Sequence, residues 1–172
     1  MSINVRAAVE ADFPALSRLD ITYPTRRYLA IERAGAAPEH TFSLRWRARE
    51  AADAIYNDYT VERLLAADSK VDLFLVAEAD GVAVGLLMVM VPAWTDAAEI
   101  TDLAVDRGVR RLGAGKALVE AAAGWGRERG LRALWVEPRA DSAEAIEFYL
   151  RTGFRVSGLN TEWQILYMHR DT

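Results

Sequence analysis

The segment that decides the fold runs from Glu99 to Lys116 and reads EITDLAVDRGVRRLGAGK. Its first part, Glu99 to Val105, is predicted to form a β-strand. The second part is a loop that contains Gly113 and Gly115 and leads into an apolar-striped segment. The segment therefore predicts a strand, a glycine-rich loop and the start of a helix in direct succession.

The helix after the loop is specified by an apolar stripe and a terminator. Apolar residues recur at i, i+3 and i+4 spacing, namely Ala114, Ala117, Leu118, Ala121, Ala122 and Trp125. Gly130 stands where a left-handed helix terminator is expected. The loop glycines therefore lie at a helix N-terminus, where N–H groups without partners and the positive end of the helix dipole favour a bound phosphate. Arg110, Arg111 and Lys116 add positive charge.

Two other phosphate-binding motifs do not fit this loop. A Walker loop requires Ser or Thr after Gly-Lys, but Ala117 follows Lys116, and Arg110 stands where that motif has its earlier glycine. A dinucleotide-binding fingerprint would need a further glycine at the position of Leu118. Both motifs are excluded.

The spacing Arg110-x-x-Gly113-x-Gly115 resembles the Arg/Gln-x-x-Gly-x-Gly/Ala signature of the GNAT superfamily of N-acetyltransferases. A second segment, AIEFYLRTGF from Ala145 to Phe154, resembles that superfamily's other signature, in which Phe/Leu-Tyr precedes a Gly-Phe pair. A strand predicted from Arg132 to Glu137 lies between the two, as the fold of that superfamily requires. The resemblance is close over residues 85 to 158 and only general over residues 1 to 70.

The resemblance implies an α/β (α+β) fold with a mixed, mostly antiparallel sheet, splayed at the cofactor site, and helices on both faces. It implies one N-acetyltransferase domain over residues 1–172, with acetyl-CoA as acetyl donor and its pyrophosphate on residues 110–116. The backbone of Leu103 to Val105 is expected to bond the pantetheine arm, because family members splay the sheet there. The implied cofactor-binding residues are Leu103, Ala104, Val105, Arg110, Arg111, Leu112, Gly113, Ala114, Gly115 and Lys116.

Ser142 is a departure from the family pattern. Many members carry Asn seven positions before the signature tyrosine, where it contacts the cofactor, and this chain carries Ser142. Serine can form hydrogen bonds and can also cap a helix. Ser142 is therefore a candidate cofactor-binding residue, and either Asp141 or Ser142 is expected to cap the helix that follows.

Tyr149 is the candidate general acid. The chain contains no cysteine, so an acyl-cysteine route is excluded and direct attack of the amine on the thioester is the expected route. Tyr149 matches the family tyrosine that lies near the CoA sulfur and can donate its phenolic proton. An ordinary tyrosine pKa of about 10 keeps that proton in place at neutral pH.

Three carboxylates are candidates for the base that takes the proton of the amine. On a regular strand Glu99 and Thr101 point to one face and Asp102 to the other, unless a bulge intervenes. Some family members place the glutamate that acts as base where Glu99 stands. Asp102 is an alternative that could also order the loop or the acceptor, and Glu137 at the end of the next strand is the third.

Composition and charge favour a globular protein without a metal. The chain has 172 residues, 52% hydrophobic and 27% charged, which suits one soluble domain. Without cysteine, and with His40 and His169 far apart in the sequence, no metal is expected. A net charge of −4 weighs against nucleic acid as partner. Since no apolar run has the length of a membrane span and no signal peptide is apparent, neither a membrane partner nor a location outside the cytoplasm is expected.

The remaining segments predict antiparallel strands first and a βαβ unit later. Leu73 to Ala77 and Val82 to Val91 flank Asp80-Gly81, which is typical of a tight hairpin. Residues 22 to 40 carry no clear pattern. The other predicted elements are strands at Ile3 to Ala7 and Phe42 to Arg47, a short helix capped by Asp12 that reaches Leu19, a helix from Thr60 to Ala67 with Val61, Leu64 and Leu65 on one side, and a helix from Ser142 to Arg151.

The acceptor is expected to be a primary amine, either on a small molecule or at a peptide N-terminus. Its pocket is expected to come from residues 22 to 60 and the C-terminal strands. The runs from Thr101 to Val105 and from Trp135 to Glu137 look nearest to the antibiotic-acetylating, streptothricin-type branch and next to the branch that acetylates protein N-termini. Candidate lining residues are Tyr23, Arg26, Tyr28, Trp46, Trp94 and Trp163.

Two rival functions remain open on the same fold. One is a non-catalytic acyl-CoA-binding sensor or structural module, against which the presence of Tyr149 and Glu99 argues. The other is thioesterase-like chemistry, which is disfavoured because no His or Cys nucleophile stands in the signature region. The oligomeric state is also open, a homodimer included.

Overall fold

The computed structural model of the chain describes residues 2–54 and 59–172. These residues belong to two compact units. Among the described residues, the first unit comprises 2–22, 59–135 and 170–172, and the second comprises 23–54 and 136–169. A single N-acetyltransferase domain over residues 1–172 stays a prediction.

The helices and strands follow one another largely as the sequence predicts. In chain order they are β1 (Ile3–Ala7), α1 (Phe13–Leu16), β2 (Tyr23–Ala34), β3 (Thr41–Ala54), α2 (Val61–Asp68), β4 (Leu73–Ala79), β5 (Val82–Met90), β6 (Ala97–Val105), α3 (Ala114–Glu128), β7 (Ala133–Val136), α4 (Ala143–Arg151), β8 (Arg155–Asn160) and β9 (Ile165–Asp171).

The sheet of the first unit has the strand order β1-β4-β5-β6-β7. The pairs β1–β4, β4–β5 and β5–β6 are antiparallel, whereas β6 and β7 are parallel. The turn between β4 and β5 has φ of 49° at Asp80 and 82° at Gly81. A tight hairpin turn with two positive φ angles matches the right-handed twist of the strands. The predicted hairpin and the mixed, mostly antiparallel sheet are both confirmed.

One face of this sheet is covered by α1 and α2. Thr60 caps α2, because its hydroxyl accepts a hydrogen bond from the Arg63 backbone N–H at 3.3 Å. The predicted helix is confirmed, but Leu65 is 41% exposed and does not belong to its buried side. The core on this face consists of Phe13, Leu16, Leu64, Phe74, Val76, Leu86, Met88 and Ala104.

The other face is covered by α3, and Gly85 leaves room for the backbone of the neighbouring strand β6 beneath it. A Cβ added to Gly85 would lie 2.8 Å from the Ala104 carbonyl oxygen and 3.5 Å from a methyl of Leu118 on α3. The buried face of α3 is rotated from the predicted stripe, because Ala117, Ala121 and Trp125 are only half-buried. Its buried residues are Ala114, Leu118, Val119, Ala122, Ala123 and Gly126. Helices therefore lie on both faces, as predicted.

The C-terminus of α3 confirms the predicted terminator. Gly130 has a φ of 73°, and its N–H donates to the Arg127 carbonyl at 3.0 Å. The Leu131 N–H donates to the Gly126 carbonyl at 3.0 Å. These two bonds satisfy the last carbonyls of the helix in the pattern that requires a left-handed residue.

The second unit contains the antiparallel pairs β2–β3 and β8–β9 and the helix α4. Within residues 22 to 40, which carry no clear pattern, Tyr23–Ala34 form β2, and the strand predicted from Phe42 to Arg47 lies in the first half of a longer β3. An ion pair between Arg27 and Glu147 fastens β2 to α4. Residues 55–58, which belong to the predicted acceptor region, lie outside the described residues.

The prediction for the first helix is only partly confirmed. Asp12 stands at the N-cap of α1, and the helix ends at Leu16 and does not reach Leu19. The Asp12 carboxylate makes no cap bond to α1. It accepts instead from the Val9 N–H at 2.9 Å and from the Arg6 guanidinium at 2.7 Å. The arginine competes for the carboxylate that the sequence pattern assigned to the cap.

Candidate active site

A bulge in β6 sets the geometry of the candidate site. Val89 of β5 pairs with Ile100, and the preceding residue Met88 pairs with Asp102. Thr101 is therefore the extra residue on β6 and has no partner in this register. The regular alternation of side chains is interrupted at this one residue.

The bulge brings Glu99 and Asp102 to the same face. Residues directly opposite each other on antiparallel strands carry their side chains on one face. Met90 pairs with Glu99 and Met88 pairs with Asp102, and Met88 and Met90 share a face because they are two residues apart. The expectation for a regular strand, with the two carboxylates on opposite faces, is therefore wrong. The chain instead adopts the alternative in which a bulge intervenes.

Asp102 is a half-buried carboxylate with a phenolic partner. It lies on the face that carries Met88 and Ala104 of the α1/α2-covered core. The Tyr59 hydroxyl donates a hydrogen bond to Asp102 Oδ1 at 3.2 Å. Burial raises the pKa of Asp102, while hydrogen bonds from Tyr59 and Thr101 and the charge of Arg63 act in the opposite direction. A carboxylate of this kind is suited to general-base work, which requires a pKa raised towards neutral pH.

The sheet opens directly after Glu99. The parallel pairing of β6 with β7 covers only Ala97↔Ala133, Ala98↔Leu134 and Glu99↔Trp135. The later part of β6, Leu103 to Val105, pairs with β5 on its other side and lies beyond the paired part of β7. The pairing of β6 with β7 thus ends before the residues at which the splay is predicted, and the cofactor site there stays a prediction.

The side chain of Arg110 holds the loop through hydrogen bonds to two backbone carbonyls. Its Nε donates to the Val105 carbonyl at 3.1 Å, and a terminal nitrogen donates to the Thr22 carbonyl at 2.8 Å. Asp106 acts in the same way, because its carboxylate accepts from the Gly108 N–H at 2.8 Å and from the Asp20 N–H at 2.9 Å. The sequence predicts Arg110 as a signature residue and a positive charge of the cofactor loop, but its bond to Thr22 joins residues too distant in the chain for spacing to reveal.

The N-terminus of α3 is open where a phosphate is expected. Gly113 is the N-cap, with a φ of 97°, and a Cβ added there would meet nothing within 4 Å. The Ala117 N–H donates to the Gly113 carbonyl at 2.9 Å, so the N–H groups of residues 114–116 precede the first intrahelical bond. Arg111 and Lys116 are exposed at this end. Open space, N–H groups and cationic side chains fit a bound pyrophosphate.

The second signature holds the ring of Tyr149 in place. Gly153 has a φ of 92°. Its N–H donates to the Leu150 carbonyl at 3.2 Å, and the Phe154 N–H donates to the Tyr149 carbonyl at 3.0 Å. These bonds form a Schellman motif, which brings the residue after the glycine against the last turn of the helix. The Phe154 and Tyr149 ring centroids are accordingly 5.1 Å apart. Tyr149 is 9% exposed, so the Gly-Phe pair of the signature positions the candidate acid.

Ser142 and Glu137 lie in the same unit as Tyr149. Ser142 occupies the N-cap of α4 and is 3% exposed, but its hydroxyl makes no cap bond. The expected capping by Ser142 is therefore wrong, while Asp141, the other capping candidate, accepts from Arg139 Nε at 3.2 Å. Glu137 is exposed, after the end of β7. A role of Glu137 as the base stays a prediction.

The residues predicted to line an acceptor pocket are distributed over both units. Trp94, which is 80% exposed, belongs to the first unit, whereas Tyr23, Arg26, Tyr28, Trp46 and Trp163 belong to the second. The second unit contains an open cavity of about 370 Å³. Its lining residues are Tyr28, Arg49, Arg139, Ala140, Asp141 and Gln164. Of these, only Tyr28 is among the residues that the sequence predicts for the acceptor pocket. Arg49 and Arg139 are far apart in the chain, so spacing does not reveal that they line one cavity.

The remaining features concern metals and membranes. Within residues 2–54 and 59–172, no group of His, Asp and Glu side chains could hold a metal ion. Among the same residues, no helix combines the length and apolar character needed to cross a bilayer.

We expect Asp102→Asn to stabilise the protein, and more so at neutral than at acidic pH. A carboxyl whose pKa is raised by folding contributes stability below its unfolded pKa of about 3.9, and this contribution is lost as pH rises through the folded-state pKa. Because Asn cannot ionise, the gain in Tm over wild type should be larger at about pH 7 than at about pH 4. Thermal melts at the two pH values measure it.

Asp96→Asn is the control of opposite sign. The Arg132 guanidinium lowers the pKa of Asp96, so this carboxylate contributes stability above its unfolded pKa and the contribution is lost on acidification. Its replacement should cost stability at neutral pH and less at acidic pH. An equal Tm change for Asp102→Asn at both pH values would contradict the assigned environment of Asp102.

Three comparisons place the chain among known proteins. Streptothricin acetyltransferase from Streptomyces lavendulae is 39% identical over 95 residues, which cover 55% of this chain and 49% of that protein. The chain thus matches about half the length of this curated relative. The crystal structure of nourseothricin acetyltransferase superposes with a TM-score of 0.83 at 27% identity and covers 99% of each chain.

A third structure, PaiA N-acetyltransferase from Thermoplasma acidophilum in complex with coenzyme A, covers 100% of each chain with a TM-score of 0.69 at 19% identity and shows the shared fold. The profile described as "Acetyltransferase (GNAT) family" matches residues 38–154, a span that includes the β6 bulge, the glycine loop and Tyr149. The chain belongs to the acetyltransferase (GNAT) family.

Proposed function

We propose that this protein is an acetyl-CoA-dependent N-acetyltransferase that moves the acetyl group to a primary amine by direct attack. The observation that carries the proposal is the open N-terminus of α3, where Gly113 has a φ of 97° and free space above it. This anion-binding end follows immediately after the part of β6 that β7 leaves unpaired. The similarity to two antibiotic acetyltransferases supports the same activity.

The cofactor contacts follow from these two features. The N–H groups of residues 111–116 and the side chains of Arg111 and Lys116 would hold the pyrophosphate. The unpaired backbone edge of Leu103 to Val105 would bond the amide groups of the pantetheine arm. Arg110 would contribute its backbone and would fix the loop through its bonds to Val105 and Thr22. Ser142 remains a candidate contact because it is a buried hydroxyl in the family position.

The chemistry then requires one proton acceptor and one proton donor. Bound acetyl-CoA supplies an activated acetyl thioester. A carboxylate on the shared face of β6, Glu99 or Asp102, would take the proton of the substrate ammonium so that the nitrogen lone pair becomes available for attack. The Tyr149 hydroxyl would give its proton to the departing sulfur, and the second proton of the acetylated nitrogen would restore the phenol through solvent.

The acceptor class is the finer part of the proposal. We propose an amine of the streptothricin antibiotic class, because the named relatives are a streptothricin acetyltransferase and a nourseothricin acetyltransferase. A peptide N-terminus is the alternative. The aromatic and arginine side chains of the second unit, Tyr28 and Arg49 among them, line the cavity that would contact it. A cytoplasmic location, where acetyl-CoA is available, completes this proposal.

Gly113→Asp should weaken acetyl-CoA binding. The substitution puts a side chain and a negative charge into the seat of the pyrophosphate. We expect the Kd measured by calorimetry to rise at least tenfold, equivalent to about 1.4 kcal/mol. The left-handed backbone at Gly113 adds a stability cost of about 1–2 kcal/mol for a non-glycine residue.

Gly130→Asp separates these two effects. Gly130 lies at the other end of α3, has a φ of 73°, and likewise has nothing within 4 Å of an added Cβ. This control should lose similar stability and keep its affinity for acetyl-CoA. An unchanged Kd in folded Gly113→Asp protein would reject the assignment of the loop.

Tyr149→Phe should reduce turnover without affecting acetyl-CoA affinity. The change removes one hydroxyl and keeps the ring that packs on Phe154. Because a general acid acts mainly in the transition state, kcat should fall by about 10²–10⁴-fold with little change in Kd. Steady-state kinetics, calorimetry and a melting curve on the same preparation measure the three quantities.

Tyr167→Phe, at a half-buried tyrosine of β9, controls for the loss of a phenolic hydroxyl in the same unit and should retain wild-type kcat. If Tyr149→Phe were destabilised yet turned over normally per folded molecule, Tyr149 would be a core residue and not the acid. An acetyl-CoA sensor would bind the cofactor but have no turnover to lose.

A further inference from the structure

Tyr59 contacts the candidate base but lies outside both signature motifs. It stands two residues before the start of α2, and its hydroxyl donates to Asp102 Oδ1 at 3.2 Å. Asp102 is reached in this way only because the bulge at Thr101 turns it to the α2-covered face. The contact therefore depends on two local features, the bulge and the start of the helix.

The phenol of Tyr59 is held from two sides. The next residue, Thr60, caps α2 through the Arg63 N–H, which fixes the backbone at this point. The side chains of Tyr59 and Val61 are partly buried and pack against the core that contains Leu64 and Met88. A side chain whose backbone and ring are both fixed holds its hydroxyl in a defined position.

Asp102 needs such a partner if it is to accept a proton. A buried carboxyl favours its neutral form, which cannot act as a base. A hydroxyl that donates to the ionised form favours the carboxylate instead. The charged group that acts on Asp102 is Arg63 from α2, which also favours the carboxylate. Glu99 lies on the same face of β6. The packed elements α1 and β5 contain no titratable side chain.

We propose that Tyr59 is a positioning residue that keeps Asp102 ionised and oriented as the proton acceptor for the substrate amine. This inference rests on the proposed acetyl transfer and selects Asp102 over Glu99. In the step concerned, the N–H bond of the substrate ammonium breaks, its proton forms an O–H bond on Asp102, and the electron pair stays on nitrogen for attack. The Tyr59 proton remains on its phenol throughout.

Tyr59→Phe tests the proposal, because it removes the hydroxyl and keeps the ring in the core. We expect kcat/KM to fall about tenfold at acidic pH, the size of one hydrogen bond to a charged group. The acidic limb of the pH–rate profile should move to higher pH, since the neutral form of Asp102 is then favoured. The loss should shrink as pH rises. Carbon NMR titration of the Asp102 carboxyl should show the same direction of shift without any turnover.

A double-mutant cycle identifies the group through which Tyr59 acts. In the Asp102→Asn background, Tyr59→Phe should cause no further loss, whereas in the Glu99→Gln background it should cause the full tenfold loss. An unmoved acidic limb in Tyr59→Phe, or an effect that disappears with Glu99→Gln and persists with Asp102→Asn, would overturn the proposal. If the wild type transfers acetyl groups and these results fail, only the role of Tyr59 is wrong; absence of transfer by the wild type rejects the proposed function itself.

Discussion

One extra residue in β6 determines how the candidate site is assembled. Thr101 interrupts the pairing with β5, and the interruption turns Glu99 and Asp102 to the face covered by α1 and α2. On a regular strand, one of the two carboxylates would point instead towards α3. The pairing with β7 ends at Glu99, two residues before the bulge. β6 therefore carries both carboxylates on one face, and its last residues lie beyond the pairing with β7, which is the combination that the proposed transfer reaction needs.

The glycines of the two signatures act at helix ends, where their conformational freedom is required. Gly113 begins α3 and Gly153 ends α4, both with positive φ. The first opens the N–H groups of α3 towards a ligand. The second closes a Schellman motif that presses Phe154 against Tyr149. The positive φ of glycine thus exposes N–H groups for a ligand at Gly113 and positions the ring of Tyr149 at Gly153.

Elements with strong local signals could be predicted from the sequence. The Asp80-Gly81 hairpin, the loop before α3 and the helix that carries Tyr149 follow from turn chemistry and spacing. Features that depend on contacts between residues distant in the chain could not be predicted from the sequence. Spacing alone does not reveal that Arg110 bonds the Thr22 carbonyl or that Tyr59 bonds Asp102. The stripe of α3 was misplaced because alanine is small and apolar enough to occupy either the buried or the half-exposed side of a helix.

If the chain transfers an acetyl group from acetyl-CoA to an amine, free CoA thiol and an N-acetylated product must form together. The most direct measurement is simultaneous detection of free CoA thiol and N-acetylated product, with acetyl-CoA and a panel of streptothricin-class antibiotics, aminoglycosides, polyamines, amino acids and N-terminal peptides. We expect thiol to be released only when a suitable amine is present, in equal amount to the acetylated amine and most rapidly with the streptothricin class. Tight binding of acetyl-CoA without thiol release for any amine, or thiol release without an acetylated product, would contradict it.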